Sequence, residues 1–212
     1  MQFVSHGLGC VDMTAKHAQG EMRVVMDPYA SSVGMRPPRL LKADLIVASH
    51  DAPESHALEG IEGKPFVIDI PGEYEVGGIF CYALPVPRKD GSAHFVSRLT
   101  AEGLEVAHLG ALDRPLSEEE LKLLGDVDIL FVPVGGGVVL DAETAAEVVT
   151  AIEPRAVVPI YFGASSIGVK ELGPEKFLRA LGSTSKEEQV KWKVAKKDLT
   201  EDVLQVVVLR RE

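Results

Sequence analysis

The chain has 212 residues, 46% hydrophobic and 25% charged, with a formal net charge of −10. That length and balance suit one soluble globular domain over residues 1–212. The acidic excess counts against a nucleic-acid surface, which needs clustered Lys and Arg to displace counterions, and no apolar stretch approaches the roughly 20 residues of a membrane helix.

The elements follow in chain order. The first residues, Met1-Gln2-Phe3-Val4-Ser5-His6-Gly7, lack a basic region followed by an apolar run, so no signal peptide is expected. Residues 22–26 read as a strand stopped by Asp27-Pro28, and residues 45–48 as a strand running into Ser49-His50-Asp51-Ala52-Pro53-Glu54-Ser55-His56. Residues 66–70 form a strand ending at Pro71-Gly72; strands at 78–84, 104–109 and 128–134 follow, the last ending in Gly135-Gly136-Gly137. Ser117 with Glu120, ahead of Leu121 and Leu124, makes a capping box for a first helix closed by Gly125. Asp141 caps a second helix that Pro154 stops, and Pro174 opens a third that ends at Gly182. Strands at 156–161, 190–194 and 204–209 complete the set, Val190, Trp192 and Val194 alternating with lysines as in a strand wet on one face. The basic stretch from Lys186 to Lys197 reads as that solvated face. Strands first and helices later imply an α/β layered domain.

Cys10 and Cys81 belong to no Cys-x-x-Cys pattern, which argues against a zinc knuckle and suits a reducing compartment. A cytoplasmic location is therefore expected. Imidazole and carboxylate donors at a strand end are what Zn, Mn and Fe use in hydrolytic sites, so His50, Asp51, Glu54 and His56 form the leading constellation; spacing alone is equally that of a polar surface turn. His108 stands at a second strand end, and Asp113 beyond it also serves the turn before Pro115. Glu73 and Glu75 sit in a hairpin where solvation is the plain reading. The triple glycine at 135–137 lacks a phosphate-loop Lys-Ser/Thr, so a tight turn is expected there. No Gly-x-Ser-x-Gly elbow is present, and Ser165-Ser166 is a poor substitute.

Taken in order, several of these segments resemble the metallo-β-lactamase superfamily, nearest the short metal-dependent hydrolases related to ascorbate-phosphate lactonases. They are Val24-Val25-Met26-Asp27-Pro28, Lys42-Ala43-Asp44-Leu45-Ile46-Val47-Ala48-Ser49-His50, Pro71-Gly72-Glu73-Tyr74-Glu75-Val76, His108-Leu109-Gly110, Val127 through Gly136, Asp141 through Ala145, and Pro154 through Ile160. The resemblance implies an α/β four-layer αββα sandwich, with a metal site at one edge of two sheets and hydrolysis by a metal-activated water. It also implies a damaged site. The family's His-x-His-x-Asp-His keeps His50 and, one residue displaced, His56; Ala52 replaces the second histidine, and Glu54 or Ser55 the aspartate. Leu84-Pro85-Val86-Pro87 stands where another histidine is expected, Ala111 where the bridging aspartate is, and Tyr161 where the late histidine is.

Two expectations follow. In the first, the dinuclear site is lost and the chain is a metal-free, non-catalytic or binding homologue with a cleft lined by Ala52, Ala111 and Tyr161. In the second, His50, His56 and His108 hold one Zn (or Mn or Fe), completed by Asp51, Glu54 or Asp113, and the protein hydrolyses an ester, lactone or phosphoester; Asp51 and Glu54 are then the acid–base candidates. A nuclease role is disfavoured by the charge and the broken motif. The partner is a small-molecule substrate or a protein, with neither nucleic acid nor membrane, and an edge strand over 204–209 would permit a homo-oligomer.

Overall fold

A computed structural model describes residues 1–17, 20–38, 41–183, 188–200 and 203–212. Lys186 and Glu187 of the basic stretch lie outside these residues.

The chain opens with an antiparallel meander, β1 (Gln2–Gly7), β2 (Cys10–His17) and β3 (Gly20–Met26), to which β4 (Leu45–Val47) and β5 (Phe66–Ile68) add in parallel. A second meander follows: β6 (Gly72–Val76), β7 (Ile79–Pro85), β8 (Phe95–Ala101) and β9 (Leu104–His108). The rest alternates as α1 (Glu118–Leu124), β10 (Ile129–Pro133), α2 (Ala142–Ile152), β11 (Ala156–Ile160) and α3 (Glu175–Ala180). Four short strands close the chain: β12 (Glu188–Gln189), β13 (Lys191–Lys193), β14 (Gln205–Val206) and β15 (Val208–Leu209). Two large sheets result, ordered β13-β1-β2-β3-β4-β5 and β14-β11-β10-β9-β8-β7-β6, beside a small β12-β15 pair.

The period-two pattern explains the layering. Phe3, Met13, Val24, Leu99, Val106, Phe131, Val158 and Trp192 point between the sheets and form one core cluster. The opposite face of the second sheet, with Leu84, Val96, Leu130, Val132 and Val157, packs on Leu124, Val148, Val149 and Phe177 of the helices. The facing sheets of the expected αββα sandwich are therefore present, with the α-helices among the described residues on the second sheet. Gln2, Thr14, Arg23 and Lys193, cross-strand neighbours on the far face of the first sheet, line an open polar groove there.

The helix ends match the sequence signals. Ser117 and Glu120 form the reciprocal capping box, and Asp141 accepts the Thr144 N–H at 2.8 Å. Trp192 is buried between exposed Lys191 and Lys193 and stacks on Phe3 at 5.6 Å between centroids. The strand expected over 204–209 is a correction: it breaks at Val207, whose N–H reaches Val157, so that β14 edges the second sheet while β15 pairs with β12. β6 forms where the sequence reading expects a turn between strands, and β1, β2 and β8 were not anticipated. The alternation of these last three is interrupted by Ser5, His6, Asp12 and Ser97, all buried polar residues that imitate a loop composition. Among the described residues no helix is long and apolar enough to cross a membrane.

Candidate functional site

Parallel strands deliver their ends to one rim of the sandwich. β3 is followed by Asp27, β4 leads into Ser49 and His50, β9 ends at His108, and β11 is followed by Tyr161. The Leu8-Gly9 turn between β1 and β2 meets them, Tyr161 N–H donating to the Leu8 carbonyl at 3.0 Å.

Asp27 is the floor. It is fully buried and accepts both the Ser49 N–H at 2.7 Å and the Ser49 hydroxyl at 2.9 Å. Burial pushes its carboxyl above the ordinary range, opposed by His108, His50 and the Ser49 hydrogen bonds. A hydroxyl that donates to Asp27 has only lone pairs left, so His50 Nδ1, 3.0 Å away, carries the hydrogen and donates to it. The other nitrogen of His50 faces Glu54 Oε1 at 3.5 Å. That contact with His50 holds the Glu54 carboxyl below its usual value against the opposing effect of burial.

His108 is wholly engaged with backbone. Its Nε2 lies 2.9 Å from the Gly9 carbonyl, which can only accept, and its Nδ1 accepts the Gly110 N–H at 3.2 Å. Neither nitrogen offers a lone pair to a metal. Burial lowers its pKa, with Asp27 opposing, and the Asp27 carboxylate lies 3.9 Å from Nδ1.

Like Asp27, His94 ahead of β8 is a site residue that sequence reasoning missed. Its Nδ1 donates to the Val86 carbonyl at 3.0 Å, so the lone pair is on Nε2, which is buried without a partner. The ring lies 5.8 Å from that of His50, and burial, then His50, pushes its pKa down to about 3. Where the resemblance left a histidine missing, the loop after β7 thus returns one from further along the chain. The signal available was a histidine opening the alternating run Phe95-Val96-Ser97-Arg98-Leu99.

Tyr161 is buried at φ +55, and its hydroxyl has no hydrogen-bond partner. Burial drives that hydroxyl well above the usual tyrosine range, with Asp27 and Glu54 adding to the shift. An orphaned buried hydroxyl costs about 1–3 kcal/mol. Tyr161→Phe is therefore expected to stabilise the protein by about 1 kcal/mol in urea unfolding; a comparable loss would show instead that the hydroxyl serves a bound group.

The structure divides the residues picked from sequence. His50, Glu54 and His108 gather with Asp27, His94 and Tyr161. His56 makes its contacts elsewhere, Nδ1 at 3.2 Å from Asp51 and Nε2 at 3.7 Å from Asp69. Asp51, its side chain 99% exposed, lines with His56, Tyr29 and Leu58 a groove of about 570 Å³. Asp113 accepts the Lys89 N–H at 3.1 Å and lies 3.6 Å from Arg88, so it holds a loop. His50, His56 and His108 are not brought around one point: the Asp51 and Asp69 carboxylates draw His56 aside and backbone engages His108.

A two-metal centre needs a bridging carboxylate between two dications. Ala111 and Ala52 present methyl groups, Tyr161 a buried phenol, and the Asp27 oxygens are taken by Ser49. Among the described residues no three His, Cys, Asp or Glu side chains stand in metal-coordinating geometry. These residues do not fit a dinuclear centre.

A beta-lactamase superfamily domain profile matches residues 9–161. A UPF0173 protein of Pyrococcus furiosus is 34% identical over 114 residues, covering 54% of this chain and 51% of the relative, so the chain spans about half of that relative's length. A UPF0173 metal-dependent hydrolase of Pyrococcus abyssi is 24% identical over 210 residues, covering 81% of this chain and 90% of the relative. Among solved structures, a protein of Thermotoga maritima assigned to the Zn-dependent hydrolases of the metallo-β-lactamase superfamily superposes with a TM-score of 0.80 at 24% identity, over 99% of both chains. Igni18, a metallo hydrolase of Ignicoccus hospitalis, gives 0.66 at 16% identity, over 91% of this chain and 98% of that one. At such identities the superpositions speak to fold alone.

Proposed function

Because the chain belongs to the beta-lactamase superfamily and has the fold of its metal-dependent hydrolases, we propose that it is a member without the dinuclear centre, acting as a non-catalytic, binding homologue. One observation carries this reading. His108, the motif histidine that should present a nitrogen to metal, has both nitrogens engaged by Gly9 and Gly110. Alanines also stand at 52 and 111, where the resemblance expects metal donors. The partner in this reading is a small molecule or a protein at the cleft, and the compartment is the cytoplasm, where Cys10 and Cys81 stay reduced as the buried free thiols they are.

A second reading has one specific support, the lone pair of His94. Its Nδ1–H is fixed on a backbone carbonyl, as metal-binding histidines are commonly oriented, and His50 is held from behind by Ser49 in the same way. A single Zn, Mn or Fe would take these two and would need Glu54 to swing in as a third donor, since no three such side chains stand ready among the described residues. Such an ion would supply a Lewis acid for hydrolysis of an ester, lactone or phosphoester.

Metal content separates the readings. Protein purified without tag or chelator is expected to carry less than about 0.1 equivalent of Zn, Mn and Fe by plasma mass spectrometry, even after reconstitution. About one equivalent, lost in both His50→Ala and His94→Ala, would establish the one-metal reading, and about two would overturn both.

A further inference from the structure

Two of the sheet edges carry opposite charge on the residues whose backbone is unpaired. The second sheet ends at β6 and the first at β13. β6 turns into β7 through Gly77 and Gly78, at φ +58 and +82, the two positive values a two-residue type I′ turn requires. Val76 and Ile79 therefore flank the turn as a hydrogen-bonded pair, and alternation makes Tyr74 and Gly72 the other residues bonded to β7. The N–H and C=O of Glu73 and Glu75 consequently face outward.

At β13, Met1 and Val194 exchange both backbone hydrogen bonds, at 3.0 and 3.1 Å. Two residues back, Trp192 faces Phe3 in the same class of pair, so the backbone groups of Lys191 and Lys193 face outward. Glu73, Glu75, Lys191 and Lys193 all have exposed side chains. Among the described residues no strand pairs with either edge.

We propose that these edges join head to tail, β6 of one copy pairing antiparallel with β13 of a second copy of this chain. The register follows from the outward-facing groups: Glu73 opposite Lys193 and Glu75 opposite Lys191, two hydrogen-bonded pairs with opposite charges side by side. The faces agree as well. Tyr74 packs toward the core between the sheets, and Trp192 is buried in it, so the joined sheet keeps its apolar residues on one side and its charges on the other. Like-with-like pairing is opposed, since β6 against β6 sets glutamate against glutamate and β13 against β13 sets lysine against lysine. Charges on an edge commonly prevent pairing; here the two signs stand on different edges, which blocks self-pairing and leaves the cross-pairing open. Such an interface is heterologous and builds a ring or an open row rather than a closed two-fold dimer.

The test is sedimentation velocity over a concentration series, at about 20 mM and about 500 mM NaCl, which bracket the ionic strength where the screening length is ~10 Å. Association is expected at low salt and should weaken about tenfold or more at high salt. Glu73→Lys with Glu75→Lys should be monomeric alone, and Lys191→Glu with Lys193→Glu likewise. Mixed, they should associate, because the first keeps a lysine β13 and the second a glutamate β6. Glu73→Gln with Glu75→Gln, which removes charge without reversing it, should weaken association and leave the melting temperature unchanged. A wild-type chain monomeric at low salt and high concentration overturns the proposal. So does association that the paired reversals leave intact, or a mixture that stays monomeric while both variants melt like wild type.

Discussion

Replacing His108 by alanine is expected to lower the unfolding free energy by about 4 kcal/mol, because it orphans two buried backbone groups and opens a cavity. The Gly9 carbonyl loses its donor and the Gly110 N–H its acceptor, both in a region without water access, since His108 is 2% exposed. Gly9 belongs to the turn of the first sheet and His108 to β9 of the second, so the imidazole is also a tie between the sheets. For a domain of this size the melting temperature should fall by roughly 8–16 °C, equally with and without chelator. His108→Gln can still donate a hydrogen bond and should recover part of the loss. A change below about 1 kcal/mol, with loss of bound metal, would identify His108 as a ligand instead and remove the main support for a metal-free member.

The same residue shows how far sequence could be read. Strand ends carrying His50 and His108, and the alanines where donors belong, were visible because each sits at a fixed offset from an apolar run. What those side chains do was not visible. Whether an imidazole holds a metal or a carbonyl depends on what the other sheet places beside it, and Gly9 lies 99 residues from His108. His94 was hidden for the same reason: only the antiparallel pairing of Pro85 with Phe95 folds the intervening loop back so that its ring meets His50. Asp27 looked like half of a proline turn that ends a strand. In the fold it is a fully buried carboxylate whose hydrogen bonds fix Ser49, and through it the tautomer of His50. The capped helices, whose signals are local, needed no such help.

Gly9→Ala tests whether the tyrosine at 161 fills the space that the family gives to its chemistry. A Cβ on Gly9 would lie 2.6 Å from Tyr161 Cε2 and 2.9 Å from Asp27 Oδ2. The Gly9 φ is not in the left-handed region, so backbone strain contributes nothing and the cost is steric. The ring is held on one side by the Tyr161 N–H bond to Leu8 and cannot swing out of a position that is 1% exposed. Overpacking of this kind costs about 3 kcal/mol, and a displaced Gly9 also carries its carbonyl away from His108. In a Tyr161→Ala background the collision with the ring disappears and only the Asp27 contact remains, so the same substitution should cost about 1 kcal/mol, a coupling of about 2 kcal/mol between the positions. Denaturant unfolding of the four proteins measures it. Additive effects would mean that the ring yields to a methyl group, and that the space beneath the rim remains open to a ligand.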